Sequence, residues 1–260
     1  MADLSEYSQN ITVSSDDLRL SQPGTILLFG RSGAGKSTLC DRLIRDRAFV
    51  FKNAPASLFL VYGSWQEELY GEWRRAFKDN FRSHQGWRDG LSGRIFKNRT
   101  EASEPMLLIL DDVAHQITQK QFQEEVLSVV NVKATHCNTV ILILCQQLVM
   151  GGGQGAVLRS IMRNSAGIVL FENPLDAIAL RTLSQNIFAG EKKPGTALAH
   201  VMELNSLFND GRYLFVDLHA TKPSATRMCD VVCKRKMLRL KSSFYTENVC
   251  KGNEKIHVYL

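Results

Sequence analysis

The chain has 260 residues, 44% apolar and 22% charged, which is the composition of a globular chain long enough for one large domain or two small ones and excludes general disorder. No window approaches the roughly 18 consecutive apolar residues of a membrane helix, and the opening MADLSEYSQNITVSSDDLRLSQ has no basic stretch followed by an apolar run. An intracellular, soluble protein with no membrane partner is therefore expected. The net charge of +6 is moderate, but its distribution along the chain is uneven.

In chain order, residues 1–22 read as a flexible, polar N-terminal segment. A first strand near 25–29 runs into GRSGAGKST, residues 30–38, which fits G-x-x-x-x-G-K-[ST] at Gly30, Gly35, Lys36 and Ser37 with an extra Gly33. Leu39, Leu43 and Ile44 then recur at helical spacing. In this strand–loop–helix context, the backbone of Gly30, Arg31, Ser32, Gly33, Ala34 and Gly35 can curl around phosphates, with Thr38 closing the loop at a helix start whose dipole favours anions. Lys36 reaches the β/γ oxygens and Ser37 ligates Mg2+, so ATP and Mg2+ are the expected cofactors.

A second strand falls near 58–62. After it, residues 74–99 read RRAFKDNFRSHQGWRDGLSGRIFKNR, an electrostatic footprint for a polyanion such as nucleic acid, or else a solvated basic face. Trp73 and Trp87 beside and within it are expected to pack into the domain rather than stack on bases. MLLILDDV then gives a buried strand near 106–110 that ends in two carboxylates. Asp111 is assigned to the metal and Asp112 to the attacking water. The alternative for the pair is a helix N-cap, a position that Asp fills well.

A further buried strand near 140–144 lies in ILILCQQL, whose two amides follow an otherwise apolar run. If this strand is inserted between the P-loop strand and the Asp strand, its tip lies under the γ-phosphate. There Gln146, or failing that Gln147, can donate to a phosphate oxygen while accepting from water. The glycines of residues 151–155 suggest a mobile loop. Arg159 and Arg163 follow it, and either could serve as an arginine finger for a neighbouring subunit or form a surface ion pair.

A strand near 167–171 and a hairpin from residues 212–217 and 226–232 complete a domain expected to span 23–232. The remainder, 233–260, is a basic tail centred on CKRKMLRLK, compatible with DNA, a capsid contact or nuclear import. The six cysteines are scattered; Cys229 and Cys233 have no second Cys/His pair at zinc spacing, so free thiols in a reducing compartment are expected. Alternating strand and helix signals argue an α/β fold, a mostly parallel sheet covered by helices on both faces, with a C-terminal β-hairpin.

The P-loop, the LDD strand and the Gln-tipped strand resemble the FtsK/HerA superfamily of ring-forming, DNA-pumping P-loop NTPases. YGSWQEELY, THCNTVILILCQQL, LRSIMRNSAGIVLFENPLD with LSQNIF after it, and GRYLFVDL with the later Arg227 look like the genome-packaging ATPases of poxviruses, Polinton/Maverick elements and adinto-like viruses. The resemblance covers roughly residues 24–230. It implies a RecA/FtsK-like additional-strand fold and an ATPase that moves double-stranded viral DNA into a preformed capsid.

It further implies a homo-oligomeric ring, a hexamer, with a capsid or portal protein as partner. The site of action would be the host nucleus or cytoplasm where virions assemble, or the virion itself. Lys36, Ser37, Asp111, Asp112 and Gln146 fall on the family's positions, Arg159 on the finger and Asn164 on the polar residue after it. Two departures are visible: His136-Cys137 stands where the family often has two histidines, and Asp112 where the superfamily usually has Glu. Other classes compatible with a P-loop are a small-molecule phosphotransferase, which wants an arginine-rich lid and no sensor glutamine, a nucleotide switch with negligible turnover, and an AAA+-like helicase, which wants a helical lid.

Overall fold

The computed structural model describes residues 20, 23–146, 152–171, 213–217 and 228–229. Gln147, LSQNIF, Arg227 and the tail from residue 233 lie outside them, as does the N-terminal segment apart from Leu20, which bridges to Phe51.

One sheet organises the chain. Its strands are β1 (Gly24–Phe29), β2 (Ser57–Tyr62), β3 (Phe81–Gln85), β4 (Met106–Asp111), β5 (Thr139–Cys145), β6 (Gly167–Phe171), β7 (Tyr213–Asp217) and β8 (Met228–Cys229). The order across the sheet is β3-β2-β4-β5-β1-β6-β7-β8. The strands from β3 to β6 in this order are parallel, and β7 and β8 continue the sheet antiparallel. The expected C-terminal hairpin is present as Phe215 and Val216 paired with Cys229 and Met228.

The α-helices among the described residues are α1 (Lys36–Arg45), α2 (Arg47–Val50), α3 (Glu67–Phe77), α4 (Leu91–Ile95), α5 (Ala114–Ile117), α6 (Gln123–Ser128), α7 (Ala134–His136) and α8 (Gly152–Asn164). The uninterrupted apolar runs of β4 and β5 follow from burial on both faces of the sheet. Leu107 and Ile109 of β4, with Val140, Leu142 and Leu144 of β5, pack with residues of α1 and α3. The alternate residues Leu108, Leu110, Ile141, Ile143 and Cys145 join the opposite core with residues of α4 to α8. Trp73 and Trp87 are both buried, as expected. Cys40, Cys137 and Cys145 are free, buried thiols.

Two segments differ from their sequence reading. FRSHQ forms β3, a sheet edge whose polar Arg82 and His84 alternate with Phe81 and Ser83 and so carry no apolar run to announce a strand. The glycine-rich segment expected to be a mobile loop instead enters α8 at Gly152. Here the buried stripe of Val157, Leu158, Ile161 and Met162 outweighs the poor helix propensity of glycine, because tertiary packing of an apolar face supplies most helical stability.

Candidate nucleotide site

The sheet topology decides what meets at the C-terminal ends of the strands. β5 lies between β1 and β4, in register from Gly24 to Phe29 on one side and from Met106 to Asp111 on the other. The P-loop leaves β1, the two aspartates end β4, and Gln146 follows β5. They surround a cleft of about 530 Å3 lined by P-loop residues Ser32, Gly33, Gly35, Lys36, Ser37 and Thr38, and across from them by Asp111, Asp112 and Gln146.

The loop turns through left-handed backbone at Gly33 (φ 77°) and Gly35 (φ 96°), and α1 starts at Lys36. A side chain at Gly35 would strain this entry, so glycine there is a conformational requirement. Lys36 is folded back, with Nζ donating to the carbonyls of Gly30 (2.5 Å) and Arg31 (2.9 Å). In this position its ammonium is paired within its own loop. Burial pushes its ammonium below the ordinary lysine range, and nearby Asp111 works against that shift. The expected loop members Gly30, Arg31 and Ala34 do not line the cleft; Gly30 and Arg31 instead supply the carbonyls that hold Lys36.

Asp111 is 5% exposed. Its Oδ2 accepts a hydrogen bond from the Tyr70 hydroxyl at 2.9 Å and lies 3.5 Å from Ser37 Oγ. Burial raises its carboxyl above the usual range, and the Tyr70 bond pulls it back down. Tyr70 itself is fully buried on α3 among Tyr62, Trp65 and Trp73. This aromatic group fixes where the phenol points. Tyr70→Phe is expected to destabilise the protein by about 1–3 kcal/mol, because it strips a donor from a buried carboxylate. Equilibrium unfolding in urea at neutral pH measures it, and a loss below about 0.5 kcal/mol would mean that Asp111 finds another donor.

Asp112 stands apart in conformation. It has φ 57°, left-handed for a residue with a side chain, and it is exposed to the cleft. The N-cap alternative is not realised, since α5 starts after Val113 and has no side-chain cap. Gly63, just past β2, approaches so closely that a Cβ there would lie 2.5 Å from the Asp112 carbonyl oxygen. Gly63 N also donates to the Asp111 carbonyl at 3.0 Å. The glycine of YGSW is thus the backing of the two aspartates.

The cleft also includes Gln66 and His115, which the sequence reading did not assign. Gln66 sits inside the quoted YGSWQEELY, four residues before Tyr70, and its amide lies 3.4 Å from the Tyr70 hydroxyl. His115 follows the aspartates within one helical turn. Arg159 lies outside its own chain's cleft, exposed on α8. The hydroxyl of Ser37 and the carboxylate of Asp111 are hard oxygen donors on one side of the cleft, which suits Mg2+ and not a soft metal.

An open cleft at the strand C-termini, a glycine-rich loop leading into a helix, and a buried carboxylate on the strand beyond the neighbouring one define the class: this is a P-loop NTPase fold. No protein-family model matches the chain, and no curated protein does. Its fold is similar to that of viral genome-packaging NTPases. B204, the DNA-packaging ATPase from Sulfolobus Turreted Icosahedral Virus, superposes with a TM-score of 0.53 at 13% identity, covering 78% of this chain and 96% of that one.

The genome packaging NTPase B204 from Sulfolobus turreted icosahedral virus 2, solved with AMPPCP, gives a TM-score of 0.53 at 14% identity, with 77% and 95% covered. The cytoplasmic domain of the type VII secretion ATPase EccC from Thermomonospora curvata gives 0.50 at 14% identity over 80% of this chain and 26% of that one. At these identities the likeness is one of fold.

Proposed function

We propose that this chain is an ATP-hydrolysing motor that translocates double-stranded viral DNA into a capsid. The observation that carries the reading is the insertion of β5 between β1 and β4, which brings Gln146 into the same cleft as Lys36, Ser37, Asp111 and Asp112. A phosphate-binding loop alone would serve a kinase equally well. A second carboxylate and an amide opposite the loop suit the positioning of water for hydrolysis. The fold shared with B204 supports the same reading.

In this reading the P-loop holds the phosphates of ATP, and Lys36 leaves the Gly30 and Arg31 carbonyls to neutralise the β/γ oxygens. Ser37 and Asp111 would hold Mg2+, which when bound supplies positive charge at the phosphates. Asp112 orients and polarises the attacking water, and Gln146 distinguishes ATP from ADP by contact with the γ-phosphate or that water. Its exposed amide is free to turn as the phosphate leaves.

The motor works as a homo-oligomeric ring, a hexamer, in which exposed Arg159 reaches a neighbour's γ-phosphate. Arg159→Ala is then expected to lower turnover of the assembled protein by about 10³-fold or more while leaving nucleotide affinity in place. Turnover equal to wild type would remove Arg159 from this role, and Arg163→Ala would test the other arginine. Duplex DNA is the translocated partner, its phosphates met by exposed cations such as Lys78 and Arg88. A capsid or portal protein is the docking partner, in the host nucleus or cytoplasm where virions assemble.

The test is ATP hydrolysis against protein concentration, with and without linear duplex DNA, for the wild type and Gln146→Ala. Turnover that rises cooperatively with concentration, is stimulated by DNA and collapses in the variant is the expected result. Phosphate transfer to a small acceptor, indifferent to DNA and to Gln146, would overturn the motor.

A further inference from the structure

The basic stretch between Arg74 and Arg99 is not one surface. Arg75 pairs with Glu72, and Arg74 lies over the rings of Trp65 and Phe81. Arg82, Arg94, Lys97 and Arg99 instead converge on a cavity of about 500 Å3. Ser57 and Met106, the first residues of β2 and β4, also line it, so it opens at the end of the parallel sheet opposite the nucleotide cleft.

The charge in this second cavity is unbalanced. Among the described residues that line it, Asp79 is the single carboxylate against four cations, with the Glu104 charge acting on Arg99 from beside the cavity. Arg82, Arg94 and Lys97 form no ion pair among the described residues. Arg99 donates from Nη2 to the carbonyls of Glu104 and Cys137, yet its buried Nε has no partner. Cations that outnumber the carboxylates around one cavity repel one another, and a bound anion relieves that repulsion.

The cavity walls say what kind of anion fits. Arg82 lies directly opposite Phe59 in the β2–β3 register, and Phe59 and Ile95 give the cavity an apolar side. Among the described residues β3 pairs only with β2, so no other described strand pairs with the backbone N–H and C=O groups of its outer edge, beside these cations. We propose that this cleft docks an extended acidic segment of a protein partner. Its carboxylates meet Arg82, Arg94, Lys97 and Arg99, one apolar side chain packs against Phe59 and Ile95, and its backbone adds a strand to β3. The phosphate backbone of a duplex has neither an apolar side chain for the cavity wall nor amide groups for the strand edge, so the features beside the cations favour polypeptide over nucleic acid.

The experiment uses the full chain and a fluorescein-labelled peptide about ten residues long so that it spans one strand, with Glu at every second position except one central Leu and Thr at the positions between, which puts the carboxylates and the apolar side chain on the same face, and with binding read by anisotropy. Saturable binding that weakens with added salt is expected, and R82E/R94E/K97E is expected to weaken it by about tenfold or more. A second peptide with Pro at alternate positions, which cannot complete a ladder, is expected to bind more weakly than the first. Nucleotide binding by the same triple variant should stay unchanged, because none of the three residues lines the nucleotide cleft. Absence of saturable peptide binding, or binding indifferent to the triple charge reversal or to proline, would overturn the proposal. Loss of affinity for a linear duplex, with peptide binding intact in the triple variant, would assign the cleft to nucleic acid and overturn it equally.

Discussion

Lys36→Met is expected to lower ATP turnover by about 10²- to 10³-fold, the loss that follows removal of one preorganised donor from a charge-developing site. The nucleotide-free fold should remain at least as stable as the wild type. Lys36 is 9% exposed, and burial disfavours its charged form. Its two hydrogen bonds, to Gly30 and Arg31, only partly compensate in the absence of a phosphate. Methionine keeps the length of the stem and removes the charge, so the cost of desolvating an ammonium disappears along with the function.

Thermal unfolding with and without ATP separates the two effects. The wild type should gain stability with ligand by mass action, and the variant should not. A variant that unfolds well below the wild type without nucleotide would mean that Lys36 is a structural brace first. A variant that keeps full turnover would remove it from the phosphate site.

Gly63→Ala is expected to cost about 1–3 kcal/mol of stability through forced overpacking, and about 10²-fold in turnover through displacement of Asp112, which the proposed function places at the attacking water. The methyl would lie 2.5 Å from the Asp112 carbonyl oxygen and 3.1 Å from its Oδ2. Neither partner can yield cheaply. Asp112 already occupies left-handed backbone at φ 57°, and Gly63 N is committed to the Asp111 carbonyl. Relief must therefore move the segment that carries both carboxylates. Urea denaturation gives the stability change and steady-state kinetics the rate. If turnover fell while nucleotide affinity held, the damage would lie at Asp112, whereas loss of both would mean that the loop between β4 and α5 had moved as a whole. Wild-type stability and rate together would contradict the close packing of Gly63 on Asp112.

Much of the site is local in the chain. A phosphate loop is a short contiguous segment, so its glycines, Lys36 and Ser37 announce themselves by spacing, and the LDD at the end of an apolar run marks the second strand. Gln146 was legible for a different reason: two amides after a seven-residue buried strand, Thr139–Cys145, are out of keeping with it unless something polar waits at its tip. Tyr70 was not legible. Its contact with Asp111 spans 41 positions and depends on α3 packing across the strand ends, and no local pattern distinguishes a tyrosine that holds a carboxylate from one that fills a core. Gln66 and His115 were missed for the same reason, and β3 because an edge strand half in solvent does not need the apolar run that signals a buried one.

By itself, then, the amino-acid sequence determined the α/β class, the glycine-rich loop before the first helix and the place of the two aspartates at the end of a buried strand, because each rests on period, composition or contiguous spacing. Only the tertiary structure decided which of these meet. Insertion of β5 between β1 and β4 gathers the site, while Gly63 presses on the aspartates from the end of the neighbouring strand β2 and Tyr70 from the helix layer. The fold also divides the basic stretch, turning Arg74 and Arg75 to one set of neighbours and Arg82, Arg94, Lys97 and Arg99 to another. Charge and hydrogen bonding act through space over a few ångströms, and distance along the chain carries no record of which side chains folding will bring that close.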